Sequence, residues 1–170
     1  NQSRRQRQMC IRDSGNLYGS VVRIAADCYP LPGDQIVGIV TMGEGVVVYP
    51  VGAPALDQFE EQPERWVAMR WDSGTMNEAR LFDSRLNLTV VNRTGSLSIV
   101  AQIIADFNAN ISNLALTQRD QDFCDLTLDI EVRDVQHVEQ LLNALKGSSV
   151  VSAATRQLTG EVSHSRDEKK

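Results

Sequence analysis

Residues 86–107 read LNLTVVNRTGSLSIVAQIIADF, and two periods meet inside them. Leu86, Leu88 and Val90 alternate with Asn87 and Thr89, the pattern of a strand with one buried face. The turn Asn92-Arg93-Thr94-Gly95 follows. Leu97, Val100, Ile104 and Phe107 then recur at the spacing of a helix with one apolar stripe. A strand, a tight turn and a helix in direct succession open a layered α+β unit.

Working downstream, residues 111–117 predict a second strand. Residues 123–132 predict a longer one, with Cys124, Leu126, Leu128, Ile130 and Val132 on one side. Asp134 is placed to cap a second helix carrying Val135, Val138, Leu141, Leu142 and Leu145. Gly147 fits the C′ position after that helix, and residues 150–155 predict a last strand. The order over 85–157 is βαββαβ, the ferredoxin-like unit. Beyond it, 158–170 is expected to be a polar tail.

Upstream, residues 36–40 (IVGIV) and 46–49 (VVVY) are short β-branched runs on either side of Gly43-Glu44-Gly45, which predicts a hairpin. A helical patch is expected near 55–59. Residues 66–71 alternate, with Val67, Met69 and Trp71 on one face, and predict a third strand. This block, 21–73, is small for an independent core and is expected to lean on a neighbour. Residues 74–84 have turn formers and no period, so they are expected to be a linker. Residues 1–20 also lack a period and are expected to be a disordered or non-native tail. Within them MCIRDS, 9–14, matches the translated adapter read-through of environmental sequence assemblies, and no function is assigned there.

Composition narrows the function classes. The chain has 170 residues, 42% of them hydrophobic, and a net charge of −5. That suits a packed core. Residues 21–73 carry three basic side chains against eight acidic ones, and 85–157 carry six against eight. Neither block is a phosphate-neutralising patch, so autonomous nucleic-acid binding is disfavoured. No apolar run approaches the ~18 residues of a membrane span, and the first residues lack the apolar core of a secretory signal. Three unclustered cysteines, Cys10, Cys28 and Cys124, outline no disulfide framework. A reducing, cytoplasmic setting is the expectation.

Catalytic chemistry is thinly supplied. His137 falls on the second predicted helix, where a surface position explains it, and His164 lies in the tail. Neither belongs to a metal-ligand or acid–base motif. Gly43-Glu44-Gly45 sits between strands and is a hairpin turn, not a phosphate loop. Asp125, Asp129 and Glu131 lie on the polar face of a strand. The chain by itself is expected to catalyse nothing and to hold no cofactor. Cys28, beside the turn PLPGD (30–34), would need partners to hold zinc. Its block contains no second cysteine and no histidine, so it reads as a small buried residue. The turn before the first helix is the one place with binding potential. Helix N-terminal N–H groups favour a carboxylate, and Gly95 lets a ligand come close.

Both blocks together resemble one family. VRIAADCYPLPGDQIVGIVTMGEGVVVYPV (22–51) and PERWVAMRWD (63–72) are similar to the zinc-finger-type, or conserved-cysteine, domain of long RelA/SpoT homologues. VVNRTGSLSIVAQIIADFNANISNLALTQR (90–119) and LDIEVRDVQHVEQLLNAL (128–145) are similar to the ACT domain of the same proteins. The pattern is similar to the alphaproteobacterial branch. The resemblance implies a fold class of α+β, a small β-rich zinc-finger-like domain followed by a ferredoxin-like ACT domain. It implies a parent protein that is a GTP pyrophosphokinase and guanosine-3′,5′-bis(diphosphate) 3′-diphosphatase, with the present chain as its regulatory C-terminal region. Four metal positions of the family fall on Asp27, Cys28, Tyr49 and Ala53; three have lost the ligand, so no metal is expected.

The family's ligand habits imply a branched-chain amino acid bound between paired ACT domains. Asn92, Arg93, Gly95, Ser96 and Leu97 are expected at its carboxylate, and Asn110, Ile111 and Asn113 at its amine. Implied partners are the upstream synthetase and hydrolase domains, a second ACT domain, and the ribosome or tRNA in the full-length context, with no membrane. A stand-alone ACT regulator of some other enzyme is the competing reading, and an RNA-contacting module is a third.

Overall fold

The computed structural model describes residues 11–13, 21–72 and 80–159. Among the described residues nine strands form two sheets, and two α-helices accompany them. The first sheet has the order β1-β5-β3-β4-β2 and the second the order β7-β8-β6-β9.

The first sheet is built on the expected hairpin. β3 (Ile36–Thr41) pairs antiparallel with β4 (Gly45–Pro50), from Ile36 opposite Pro50 to Thr41 opposite Gly45. Gly45 sits at φ 81°, and a Cβ there would lie 2.2 Å from the carbonyl oxygen of Val21. Only glycine lets β2 (Val22–Ile24) run alongside β4, where the N–H of Val46 donates to that carbonyl at 2.9 Å. β5 (Trp66–Trp71) adds to β3 as the alternation predicts. The helical patch is a 3-10 helix, Pro54–Phe59. One face of the sheet buries Ile36, Val46, Val48 and Met69, and a second small cluster gathers Ile39, Ala53, Leu56 and Phe59.

β1 (Ile11–Asp13) pairs antiparallel with β5, Ile11 opposite Trp71. These three residues were expected to belong to a structureless tail, and ladder hydrogen bonding places them at the sheet edge instead. The rest of that tail, residue 73, the linker residues 74–79 and the tail beyond 159 lie outside the described residues.

The second unit follows the βαββαβ order. β6 (Phe82–Val91) and β8 (Phe123–Val132) form its centre, with β7 (Asn110–Arg119) and β9 (Val151–Gln157) at the two edges. α1 (Ser96–Asp106) and α2 (Val135–Lys146) supply the helical layer. Leu86, Leu88, Leu126, Leu128 and Ile130 meet Val100, Ile104, Val138, Leu141 and Leu145 in one core. β6 begins at Phe82, inside the expected linker, because Phe82 and buried Ser84 continue the inward alternation of Leu86 and Leu88.

Two local expectations change. Asp134 caps α2 as foreseen, its Oδ1 accepting the N–H of His137 at 2.8 Å. Gly147 does end that helix but at φ −76°, so its glycine freedom is not used. His137 is buried rather than on the surface. Its Nδ1 accepts the N–H of Arg133 at 3.1 Å, while Nε2 lies 2.6 Å from the Phe107 carbonyl. Those partners fix the neutral tautomer with the proton on Nε2, and the ring joins the end of α1 to the start of α2.

The two units interlock through the PLPGD turn. Leu31 is fully buried in the core of the second unit. The Pro32 carbonyl accepts the N–H of Val135 at 3.0 Å, and the Leu158 carbonyl accepts that of Tyr29 at 3.3 Å. Arg85 stacks over the Tyr29 ring at 4.9 Å. The Trp71 ring meets Phe82 edge-on at 5.7 Å, and its Nε1 donates to the Asp34 carbonyl at 3.1 Å. A Pro/Gly turn beside a cysteine thus serves as a wedge between sheets.

Candidate functional site

The turn between β6 and α1 is held from below. The N–H of Asn92 donates to the Asp122 carbonyl at 2.8 Å, and Nδ2 donates to the Asp120 carbonyl at 2.6 Å. Asn92 therefore ties the turn to the β7–β8 hairpin. Gly95 follows at φ 89° with open space where a side chain would project. It is the N-cap of α1 and offers no side-chain cap. The N–H groups of Leu97 and Ser98, in the first helical turn, have no intrahelical acceptor. The N–H of Ser96 is turned back to the Arg93 carbonyl at 3.3 Å. The Ser96 N–H is thus already engaged, and those of Leu97 and Ser98 remain.

A cavity of about 520 Å³ opens at this turn. Asn92, Arg93, Gly95, Ser96 and Leu97 line it, as do Val90 and Val91 at the end of β6. Thr94 and Ser98 border it too, and the facing wall comes from Leu116 and Arg119 of β7 and from Cys124 and Leu126 of β8. The Ser96 side chain is buried, and its hydroxyl has no hydrogen-bond partner among the described residues.

Asn110, Ile111 and Asn113 do not line the cavity of their own chain. α1 has 11 residues, about 16 Å of helix. β7 starts at the far end of it and climbs back at about 3.3 Å per residue. Leu116, not Asn110, is therefore level with the first turn of α1. Asn110 Nδ2 donates to Glu131 Oε2 at 3.0 Å, and Asn113 Nδ2 is 3.4 Å from Asp129 Oδ2. The sequence signal that finds Leu116 is this length count.

The outer face of the second sheet is polar and internally paired. Arg85 makes a two-pronged bond to Asp129, Nε to Oδ1 at 2.6 Å and Nη2 to Oδ2 at 3.0 Å. That hydrogen bonding holds the Asp129 carboxyl below its usual range. Asp83 is pushed up instead, by burial and by the carboxylates of Glu131 and Asp129. Thr89 donates to Asp125 at 2.7 Å. The acidic row is thus a sheet surface with its own partners.

The four positions that the resemblance matched to metal ligands lie in the first unit. Asp27 is exposed at φ 58° and Cys28 is half-buried. Ala53 is buried against Phe59 and Tyr49, whose rings lie 6.2 Å apart. Burial, with the nearby Cys28 thiol next in weight, raises the Tyr49 hydroxyl above its ordinary value.

Comparison with known proteins accounts for both units. Residues 12–72 match the RelA/SpoT RIS domain, and residues 78–156 match the ACT domain. Over 126 residues the chain is 41% identical to a GTP pyrophosphokinase rsh of Brucella ovis, covering 74% of this chain and 17% of that one. It is 25% identical over 138 residues to the bifunctional (p)ppGpp synthase/hydrolase SpoT of Escherichia coli, covering 81% and 19% respectively. The chain therefore spans less than a fifth of the length of these relatives. The ACT domain of the GTP pyrophosphokinase of Chlorobium tepidum superposes with a TM-score of 0.40 at 19% identity, over 45% of this chain and 99% of that one.

Proposed function

Because the chain belongs to the RelA/SpoT family as a regulatory segment joining a RIS to an ACT domain, we propose that it senses a small carboxylate ligand. It would report that ligand to the synthetase and hydrolase domains of a longer (p)ppGpp enzyme, in the cytoplasm. The observation that carries this reading is the cavity at the uncapped start of α1. Unpaired N–H groups and the helix dipole favour a carboxylate there. A branched aliphatic side chain, which the family resemblance implies, would lie along Leu116, Leu126 and Val90.

A second copy of the chain supports the site in this reading. β7 is a ten-residue edge strand whose Leu114 and Leu116 remain exposed beside Leu97. An open edge with apolar side chains is an association surface, and two-fold pairing would set it against itself. Asn110, Ile111 and Asn113 of that copy would then approach the ligand, which their own chain does not bring about. Contacts with the ribosome or tRNA belong to the full-length protein, whose other domains would supply the positive charge missing here.

Calorimetry with valine, isoleucine and leucine tests the reading, with Gly95→Val as the blocked control. Saturable heat in the wild type and none in the variant is expected. No heat from any small carboxylate at millimolar concentration, with the chain folded, refutes it.

A further inference from the structure

The charge around the same cavity narrows the chemistry of its ligand, an inference that rests on reading the cavity as a ligand site. Arg93 of the turn and Arg119 at the end of β7 both line it, and both are exposed. No aspartate or glutamate lines it. Two neighbouring carboxylates are turned to other work. Asp120 Oδ1 accepts the N–H groups of Asp122 and Phe123 at 2.8 and 2.7 Å, and Asp125 accepts the Thr89 hydroxyl. The free N–H groups of α1 add partial positive charge to the same wall.

A neutral amino acid brings one carboxylate and one ammonium to this lining. Its carboxylate finds more donors than it can use. Within one chain its ammonium finds two guanidinium groups and no anion in the lining, and like charges placed together inside a site oppose binding. An amine is therefore a liability here, and a second carboxylate is an asset. Guanidinium groups suit carboxylates in particular, because the planar fork matches both oxygens.

We propose that the cavity takes a small aliphatic dicarboxylate. One carboxylate sits on the N–H groups of Leu97 and Ser98, with the buried, unpartnered Ser96 hydroxyl on the same wall. The other sits on Arg119, with Arg93 beside the entrance. The methylene chain between them runs over Leu116 and Leu126. Arg119 is the residue that sets the choice between one negative charge and two.

Titration of the whole 170-residue chain with glutarate, L-glutamate and L-leucine tests this, in the wild type and in Arg119→Gln. Arg119 is exposed, so the variant should melt with the wild type. Glutarate is expected to bind at least as tightly as L-glutamate, and L-leucine at least ten-fold more weakly. Arg119→Gln should weaken glutarate by about ten- to hundred-fold, the worth of one charge-assisted contact, and leave L-leucine unchanged. Arg93→Gln should act in the same direction. Tighter binding of L-leucine than of glutarate would overturn the dicarboxylate while leaving the ligand site intact. So would glutarate binding that ignores Arg119→Gln. Failure of all three probes on folded protein would overturn the site itself.

Discussion

Arg156, on the last strand of the ACT domain, grips Asp34 of the RIS domain through both arms of its guanidinium. Nη1 donates to Asp34 Oδ1 at 3.0 Å, and Nη2 donates to Asp34 Oδ2 and to the Tyr29 carbonyl. Asp34 Oδ2 also accepts the N–H of Leu31 at 2.7 Å. The two side chains are only 14% and 12% exposed. Removing one member leaves the other charge buried and uncompensated, so Arg156→Ala or Asp34→Ala should cost about 3–5 kcal/mol. The double variant should cost less than the sum of the two. Urea unfolding measures this; simple additivity would mean the pair is not coupled.

Leu31 comes from the RIS domain but completes the ACT core. Leu31→Ala should destabilise by about 2–5 kcal/mol, and both domains should still unfold in one transition. Calorimetric melting that shows an unchanged ACT transition beside a shifted RIS transition would contradict the wedge.

The β6–β8 ladder sets Asp83 opposite Glu131 and Arg85 opposite Asp129. Asp83 is held above its ordinary pKa, so its ionisation disfavours the fold. That penalty grows as pH rises from the unfolded value through the folded one and persists above it. Asp129 is held below its ordinary pKa, so it stabilises above the unfolded value and loses this as pH falls through the folded one. Asp83→Asn should therefore stabilise at pH 7 by about 0.2–1 kcal/mol, and Asp129→Asn should destabilise by about 1–2 kcal/mol. Both differences should shrink in acid. Thermal melts across pH 3–7 that move both variants the same way would contradict this account.

His137 satisfies two backbone groups at once, the Arg133 N–H and the Phe107 carbonyl. His137→Leu keeps the bulk and orphans both, at about 1–3 kcal/mol for each group left dry. Hydrogen exchange should rise at the end of α1 and the start of α2 ahead of the rest of the core. Uniform exchange would show that the ring only fills space.

Where the polypeptide declares a period, the sequence was enough. The alternation of β6 and β8, the stripe on α1 and the Asp134 cap are local signals, and local physics produced them. What escaped was set by distant partners. Ser84 hid the start of β6, because a serine at an inward position breaks an apolar alternation without breaking the strand. His137 looked like a surface residue because the carbonyl that needs it is 30 residues away. The PLPGD turn did not declare its role, because the core that Leu31 fills lies in another domain. Asn110 and Asn113 were expected at a ligand between paired domains; within one chain Leu116 and Arg119 line the cavity instead.

The start of α1 can be watched directly. Backbone amide NMR of the 170-residue chain, titrated with L-leucine and separately with glutarate, reports on every N–H in the first turn. Saturable shifts centred on Gly95, Leu97 and Ser98 are expected with at least one probe, and their loss in Gly95→Val. Shifts that saturate only elsewhere, or nowhere while the protein stays folded, would contradict a sensing role for this cavity.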